Sequence, residues 1–213
     1  MKLPTKIIQT RYDYAKIIPW FRRTASCMIG KEYLITESDK SIIFAAIAWM
    51  LQDDLVAQEM NFDLHKGILL SGPIGCGKTT LFKLLKKIPS QRSRFGIVST
   101  RIVVSEFMQV GYEVLEKYSQ GNFSHEVRVP KEFCFDDLGA ETSSKYFGNN
   151  CNVMAEILLT RYDLFIEKGT ITHLTSNLSA SEIETAYGNR LRSRMREMFN
   201  LFGYSSTAED KRG

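Results

Sequence analysis

The chain has 213 residues, a length that suits one domain or one domain with an appendage. With 44% hydrophobic and 24% charged residues it has the composition of a soluble globular protein with a real core, which excludes a disordered or fibrous chain. The longest uninterrupted apolar run, Ile42 to Leu51, is ten residues and too short to span a bilayer, and the net charge of +4 is mild.

The N-terminal stretch MKLPTKIIQTRYDYAK scatters charges where a secretory leader needs an apolar centre, so export is not expected. Cys27, Cys76, Cys134 and Cys151 stand far apart with no C-x-x-C pair, which argues against a zinc site and a disulfide framework. A reducing cytoplasm is the expected compartment. Residues 1–35 carry Lys2, Lys6, Arg11, Lys16, Arg22, Arg23 and Lys31 against Asp13 and Glu32, interleaved with Tyr12, Tyr14, Trp20, Phe21 and Tyr33. Such a basic arm can contact phosphates and stack on bases, can be a solvated surface with its aromatic residues packed on the domain, or can dock a partner protein.

Thr36-Glu37-Ser38-Asp39 has the pattern of a capping box and predicts a helix running to about Met60, with Ile43, Ile47, Met50 or Leu51, and Leu55 on its buried side. Ile68, Leu69 and Leu70 form a short apolar run fit for a buried strand. Gly72-Pro73-Ile74-Gly75-Cys76-Gly77-Lys78-Thr79 then matches the phosphate loop G-x-x-x-x-G-K-[ST], and Leu81, Leu84, Leu85 and Ile88 follow at helical spacing. Glycines without Cβ let the backbone aim N–H groups at phosphate oxygens, and the helix behind adds the positive end of its dipole. Gly72, Pro73, Gly75, Cys76, Gly77, Lys78, Thr79 and Thr80 are the candidate nucleotide contacts, with Lys78 on the β- and γ-phosphates and the Thr79 hydroxyl on Mg²⁺. The nucleotide and metal expected are ATP and Mg²⁺.

Further on, Arg94 to Thr100 predicts a second strand. Ser105 is expected to cap a helix with Phe107, Val110, Val114 and Leu115 available for burial, and Gly121 to Pro130 reads as a loop bearing His125 and Arg128. Glu132 to Asp137 reads as an apolar strand ending in two acids, and Asn152 to Lys168 as a long helix closed by Gly169. Thr170 to Thr175 predicts a strand leading into Ser176-Asn177. Ser179 with Glu182 opens a short helix, Gly188 breaks it, Asn189 to Met198 restarts one, and Phe199 to Tyr204 reads as a last strand. Residues 205–213 read as a flexible polar tail. Strands alternating with helices predict an α/β fold, a parallel sheet covered on both faces, with functional residues at the carboxyl ends of the strands.

Asp136 is the candidate metal carboxylate, and Asp137 beside it is the candidate to orient or deprotonate the attacking water. Asn177, ending a later strand, is a candidate sensor of the γ-phosphate or the lytic water. In the segment Arg190 to Arg196, Arg190 and Arg194 share one helical face and Arg192 and Arg196 another. Arg194, with Arg190 second, is the candidate arginine finger acting from a neighbouring subunit.

GPIGCGKTT, then FDDLGAE (Phe135 to Glu141), THLTSNLS (Thr172 to Ser179) and YGNRLRSRM (Tyr187 to Met195) resemble the AAA+ ATPases of the helicase-loader and transposition-helper branch, the DnaC, DnaI and IstB type. The likeness covers about residues 60 to 205. It implies a P-loop AAA+ core with Lys78 and Thr79 as Walker A, Asp136 and Asp137 as Walker B, Asn177 as sensor 1 and Arg194 as the finger, and it implies ring or spiral assembly on single-stranded DNA. The chain is expected to leave no room for a full C-terminal lid, which loaders of this type often lack, and its N-terminal segment, where family members carry the helicase- or transposase-binding part, has no recognisable match, so the partner stays open.

The expected layout is a basic arm over 1–35, an AAA+ core with a leading helix over 36–204, and the tail. The expected activity is ATP hydrolysis, slow alone and stimulated by assembly or DNA. The expected role is that of a helicase-loader-like replication factor, a homo-oligomer binding single-stranded DNA and reaching a replicative helicase through its N-terminal segment, with no membrane. An IstB-like regulator of a transposase or other mobile-element protein is the alternative, and a small P-loop kinase ranks third because no separate acceptor site is visible.

Overall fold

The computed structural model describes residues 12–120, 130–141, 144–146 and 149–211. The arm's Lys2, Lys6 and Arg11, and the expected loop's His125 and Arg128, lie outside the described residues. The chain divides into two compact units, one of Met1–Leu64, Leu70–Arg94 and Leu201–Gly213, the other of His65–Leu69 and Phe95–Asn200.

The first unit holds α1 (Ile17–Ile29), α2 (Glu37–Leu51), α3 (Asp54–Met60), the end of β1 (Gly67–Ser71) and α4 (Lys78–Leu85). Tyr14, Phe21 and Tyr33, three of the aromatic residues interleaved with the basic arm, are buried, so packing on the domain is what these rings do. Arg22 and Arg23 stay exposed.

Helix α2 opens with the expected capping box, the Thr36 N–H donating to Asp39 Oδ2 at 2.8 Å. Ala45, Ala46, Ile47, Ala48, Trp49 and Met50 are all buried, so the helix is covered all round and not along one stripe. It does not run on to Met60. Gln52 takes a left-handed conformation, and Asp53 caps a new helix by accepting from the Val56 N–H at 3.3 Å. The Asp53 carboxylate also accepts from the Tyr14 hydroxyl at 2.8 Å, a long-range partner that holds the break. Leu55, expected on the buried side, is exposed as a result.

The second unit holds β2 (Gly96–Ser99), α5 (Thr100–Val110), α6 (Glu113–Ser119), β3 (Phe133–Leu138), β4 (Ser144–Tyr146), β5 (Asn149–Cys151), α7 (Val153–Lys168), β6 (Thr172–Ser176), α8 (Ala180–Tyr187), α9 (Asn189–Met198) and the start of β7 (Phe199–Gly203). The five-stranded sheet has the order β2-β3-β6-β1-β7. Strands β2, β3 and β6 pair in parallel, from Gly96 opposite Phe133 and from Phe133 opposite Thr172. β4 and β5 form a separate antiparallel pair.

Helix α7 begins at an Asn152 cap, whose side chain accepts from the Ala155 N–H, and ends at Gly169 as expected. Helix α8 opens with the expected Ser179 and Glu182 box, and Gly188 separates it from α9. Helix α5 starts at Thr100, straight from β2, and not at Ser105. Val110 ends this helix exposed, and α6 follows as a separate element. The core of this unit gathers Val103, Phe107, Phe135, Ile157, Leu158 and Leu174.

Arg161 of α7 lies fully inside that core. Its Nε donates to Thr172 Oγ1 at 2.6 Å, Nη1 to the carbonyls of Tyr118 and Ser119, and Nη2 to those of Lys131 and Ile171. The guanidinium also lies 5.3 Å from the Phe133 ring centre and 5.8 Å from that of Phe135. It ties α7 to the end of α6, to Lys131 ahead of β3 and to the start of β6 through four carbonyls and the Thr172 hydroxyl. Among the described residues no helix is long and apolar enough to cross a membrane.

Candidate nucleotide-binding site

Strand β1 leads into residues 72–77 and these into α4, which is the strand, loop and helix that the phosphate-loop pattern requires. Gly72, Gly75 and Gly77 all have positive φ, at 155°, 83° and 99°. Lys78 is buried, and its Nζ donates to the carbonyls of Gly72 and Pro73 at 2.8 Å each. The ammonium is thus folded back over its own loop. Cys76 is buried with Sγ 3.8 Å from that ammonium, and burial pushes its thiol pKa up although Lys78 pulls the other way. Such a thiol stays protonated at neutral pH and is a poor nucleophile. Thr79 and Thr80 start α4, both partly exposed.

In the second unit, Asp136, Asp137 and Asn177 come together around a residue the sequence reading passed over. Opposite β6, the register of β3 shifts between Phe135 and Leu138, so that two residues, Asp136 and Asp137, face the single Thr175. This is a β-bulge, a device that redirects side chains at a strand's end. The Thr175 hydroxyl donates to Asp136 Oδ1 at 2.8 Å and accepts from the Asp137 N–H at 2.7 Å. The Asn177 side-chain amide donates to Asp137 Oδ1 at 2.8 Å, and Thr100 Oγ1 donates to the Asp137 carbonyl at 2.9 Å. Asp137 has φ 67°.

Thr175→Val removes the hydroxyl from both carboxylate residues at almost constant shape. It is expected to cost about 1–3 kcal/mol in urea unfolding, because the part-buried Asp137 N–H loses its acceptor. If Asp136 and Asp137 serve ATP turnover, that turnover should fall roughly tenfold as they lose their support. Wild-type values of both would refute a positioning role for Thr175.

The third group lies on α9. Arg190 is exposed and, among the described residues, makes no ion pair, whereas Arg192 pairs with Glu184. Arg194 is 4.0 Å from Asp163, and its guanidinium lies 4.6 Å from the Tyr162 ring centre. The Tyr162 hydroxyl donates in turn to Glu197 at 2.9 Å. Two of the resembling motifs also touch: the Tyr187 hydroxyl donates to Glu141, whose other oxygen accepts from the Gly139 N–H at 2.9 Å.

No family model matches the sequence, and no curated protein matches it. Solved structures do. The DnaC helicase loader is 18% identical, with 80% of this chain and 92% of that one covered at a TM-score of 0.54. DnaI is 20% identical over 81% and 87%, with a TM-score of 0.52. The replication initiator DnaA, bound to AMPPCP and single-stranded DNA, is 14% identical over 81% of this chain and 48% of that one, with a TM-score of 0.50. At these identities the shared property is the fold, which is a P-loop AAA+ fold of the DnaC and DnaI type.

Proposed function

We propose that this chain is an ATPase of the helicase-loader kind, which binds ATP at residues 72–80, hydrolyses it slowly until assembly or DNA stimulates it, and acts with single-stranded DNA in replication. The observation that carries the nucleotide part is Lys78 folded onto the carbonyls of Gly72 and Pro73 in a strand, loop and helix of the required order. A phosphate group offers that ammonium charged acceptors stronger than the two neutral carbonyls. The likeness to the DnaC helicase loader and to DnaI supports the replication role. The DnaA structure with AMPPCP and single-stranded DNA supports these two classes of ligand.

The Thr79 hydroxyl in the first unit and the Asp136 carboxylate in the second are each a hard oxygen donor of the kind Mg²⁺ prefers, and each is a candidate ligand for that ion, which would neutralise phosphate charge. Asp137, fixed by Thr175 and Asn177, is suited to orient an attacking water. Arg194, with Arg190 second, supplies positive charge to a neighbouring subunit's nucleotide in a homo-oligomer. The arm over 1–35 is the segment to dock a replicative helicase, with the core over 36–204 left to the nucleotide.

Lys78→Ala is expected to weaken ATP binding by about 10- to 100-fold, the loss of one charge-assisted contact. Unchanged binding would remove the loop assignment. The wider reading is tested by ATP turnover per subunit over a wide range of protein concentration, with and without single-stranded DNA. Specific activity that climbs with concentration and shifts with DNA supports shared sites. Turnover that is flat and blind to DNA puts a complete site in one chain and ends the loader reading.

A further inference from the structure

Residues 205–211, read from sequence as part of a polar tail, double back onto the phosphate loop within the first unit. The Lys211 N–H donates to the Gly75 carbonyl at 3.0 Å. The Lys211 side chain is only 7% exposed, and its ammonium pairs with Asp39, itself 2% exposed. That ammonium also donates to the Leu34 carbonyl at 3.0 Å and lies 4.9 Å from the Tyr33 ring centre. One residue earlier, the Asp210 carboxylate is set against Gly75. A Cβ on that glycine would meet Asp210 Oδ1 at 2.1 Å and Oδ2 at 2.4 Å. The missing side chain is what admits the carboxylate.

Two further contacts close on the same loop. A Cβ on Gly77 would meet the Tyr33 hydroxyl at 2.2 Å, and one on Gly72 would meet the Tyr204 Cβ at 2.6 Å. Beside them, Glu32, Thr36, Asp39, Thr207 and Glu209 line a cavity of about 290 Å³. The returning segment is therefore a polar strap over a cavity, not a piece of the apolar core. Segments held by few buried apolar contacts open locally at small free-energy cost.

We propose that residues 205–211 are a removable cap on the phosphate loop, with Asp210 as an internal anion that a nucleotide's phosphates must displace. The inference rests on the nucleotide reading of that loop. An acid tethered a few residues beyond β7 acts at a high effective concentration, so a weak contact suffices to compete with free nucleotide. A loop open for a tenth of the time binds its ligand about tenfold more weakly than one always open. The anchor is Lys211, whose ammonium is held by the buried Asp39. The plug is Asp210, which is exposed on its other side and can leave without uncovering a core residue.

The test uses the full chain and its Asp210→Ala variant, with a fluorescent ATP analogue for affinity and amide hydrogen exchange for the two segments. The variant is expected to bind the analogue about 5- to 10-fold more tightly. In the wild type, ATP is expected to protect the amides of 72–79 while those of 205–211 exchange faster. Equal or weaker binding by the variant overturns the cap, as does protection of 205–211 that stays constant or rises while ATP protects the loop. If ATP leaves 72–79 unprotected in both proteins, the nucleotide reading falls and the cap falls with it.

Discussion

Arg194→Ala should leave ATP binding at its wild-type strength and lower turnover by about 10³ or more, the range over which arginine fingers act in other nucleotide hydrolases. The structure adds a condition to that expectation. Arg194 is already engaged, near Asp163 at 4.0 Å and over Tyr162 at 4.6 Å, while Arg190 on the same helical face is exposed. Releasing a partly exposed ion pair and a cation–π contact costs about 1–2 kcal/mol. A factor of about 10³ to 10⁵ in turnover corresponds to about 4–7 kcal/mol of transition-state stabilisation. The second figure is the larger, so the contacts with Tyr162 and Asp163 would not keep the side chain from acting as a finger. Mixtures of the Arg194→Ala and Lys78→Ala proteins should regain part of the activity, because each supplies what the other lacks. Full loss in Arg190→Ala with normal turnover in Arg194→Ala would transfer the role to Arg190.

The largest stability effect is expected at Arg161. Arg161→Met should lower the unfolding free energy by about 3–5 kcal/mol, since three buried carbonyls, the part-buried one of Lys131 and the Thr172 hydroxyl lose their common donor. For a chain of this length that corresponds to a fall in Tm of roughly 10 °C. Burial pulls the guanidinium pKa down to about 10, with Glu132 pulling it back up. Its value in the unfolded chain is higher, so the penalty for burying the charge is present in full below about pH 10 and fades only above it. The difference between wild type and variant should therefore be flat across about pH 6 to 9. Denaturant unfolding at several pH values measures it, and a loss below about 1 kcal/mol would show that the hydrogen bonds around Arg161 are dispensable.

The phosphate loop was legible because its chemistry lies in consecutive residues: eight positions fix a backbone path, and apolar residues on each side fix a strand and a helix. Asn152, Gly169, Ser179 and Gly188 were legible for the same reason, since caps are made within one turn. What stayed hidden depends on partners distant in sequence. Asp53 reads as one more polar residue in a helix until Tyr14 reaches it. Thr175 reads as a β-branched strand residue until the bulge in β3 sets two aspartates opposite it. Arg161 reads as a surface charge on a long helix, and only its backbone partners explain its burial. The start of α5 was missed because Thr100, Ile102, Val103 and Val104 are β-branched, a composition that favours strand over helix when read locally.

Asp137 adds a selective consequence to the geometry. At φ 67° it occupies a left-handed conformation that costs most side chains about 1 kcal/mol or more, that aspartate and asparagine tolerate through local hydrogen bonds, and that glycine adopts most readily. The hydrogen bonds from Thr175, Asn177 and Thr100 offset this and keep the carboxylate where it stands. If Asp137 serves hydrolysis as proposed, stability and activity are opposed at this one position. A laboratory lineage selected only for thermal resistance should drift toward glycine at residue 137 and lose any hydrolysis that Asp137 supports before it loses its fold.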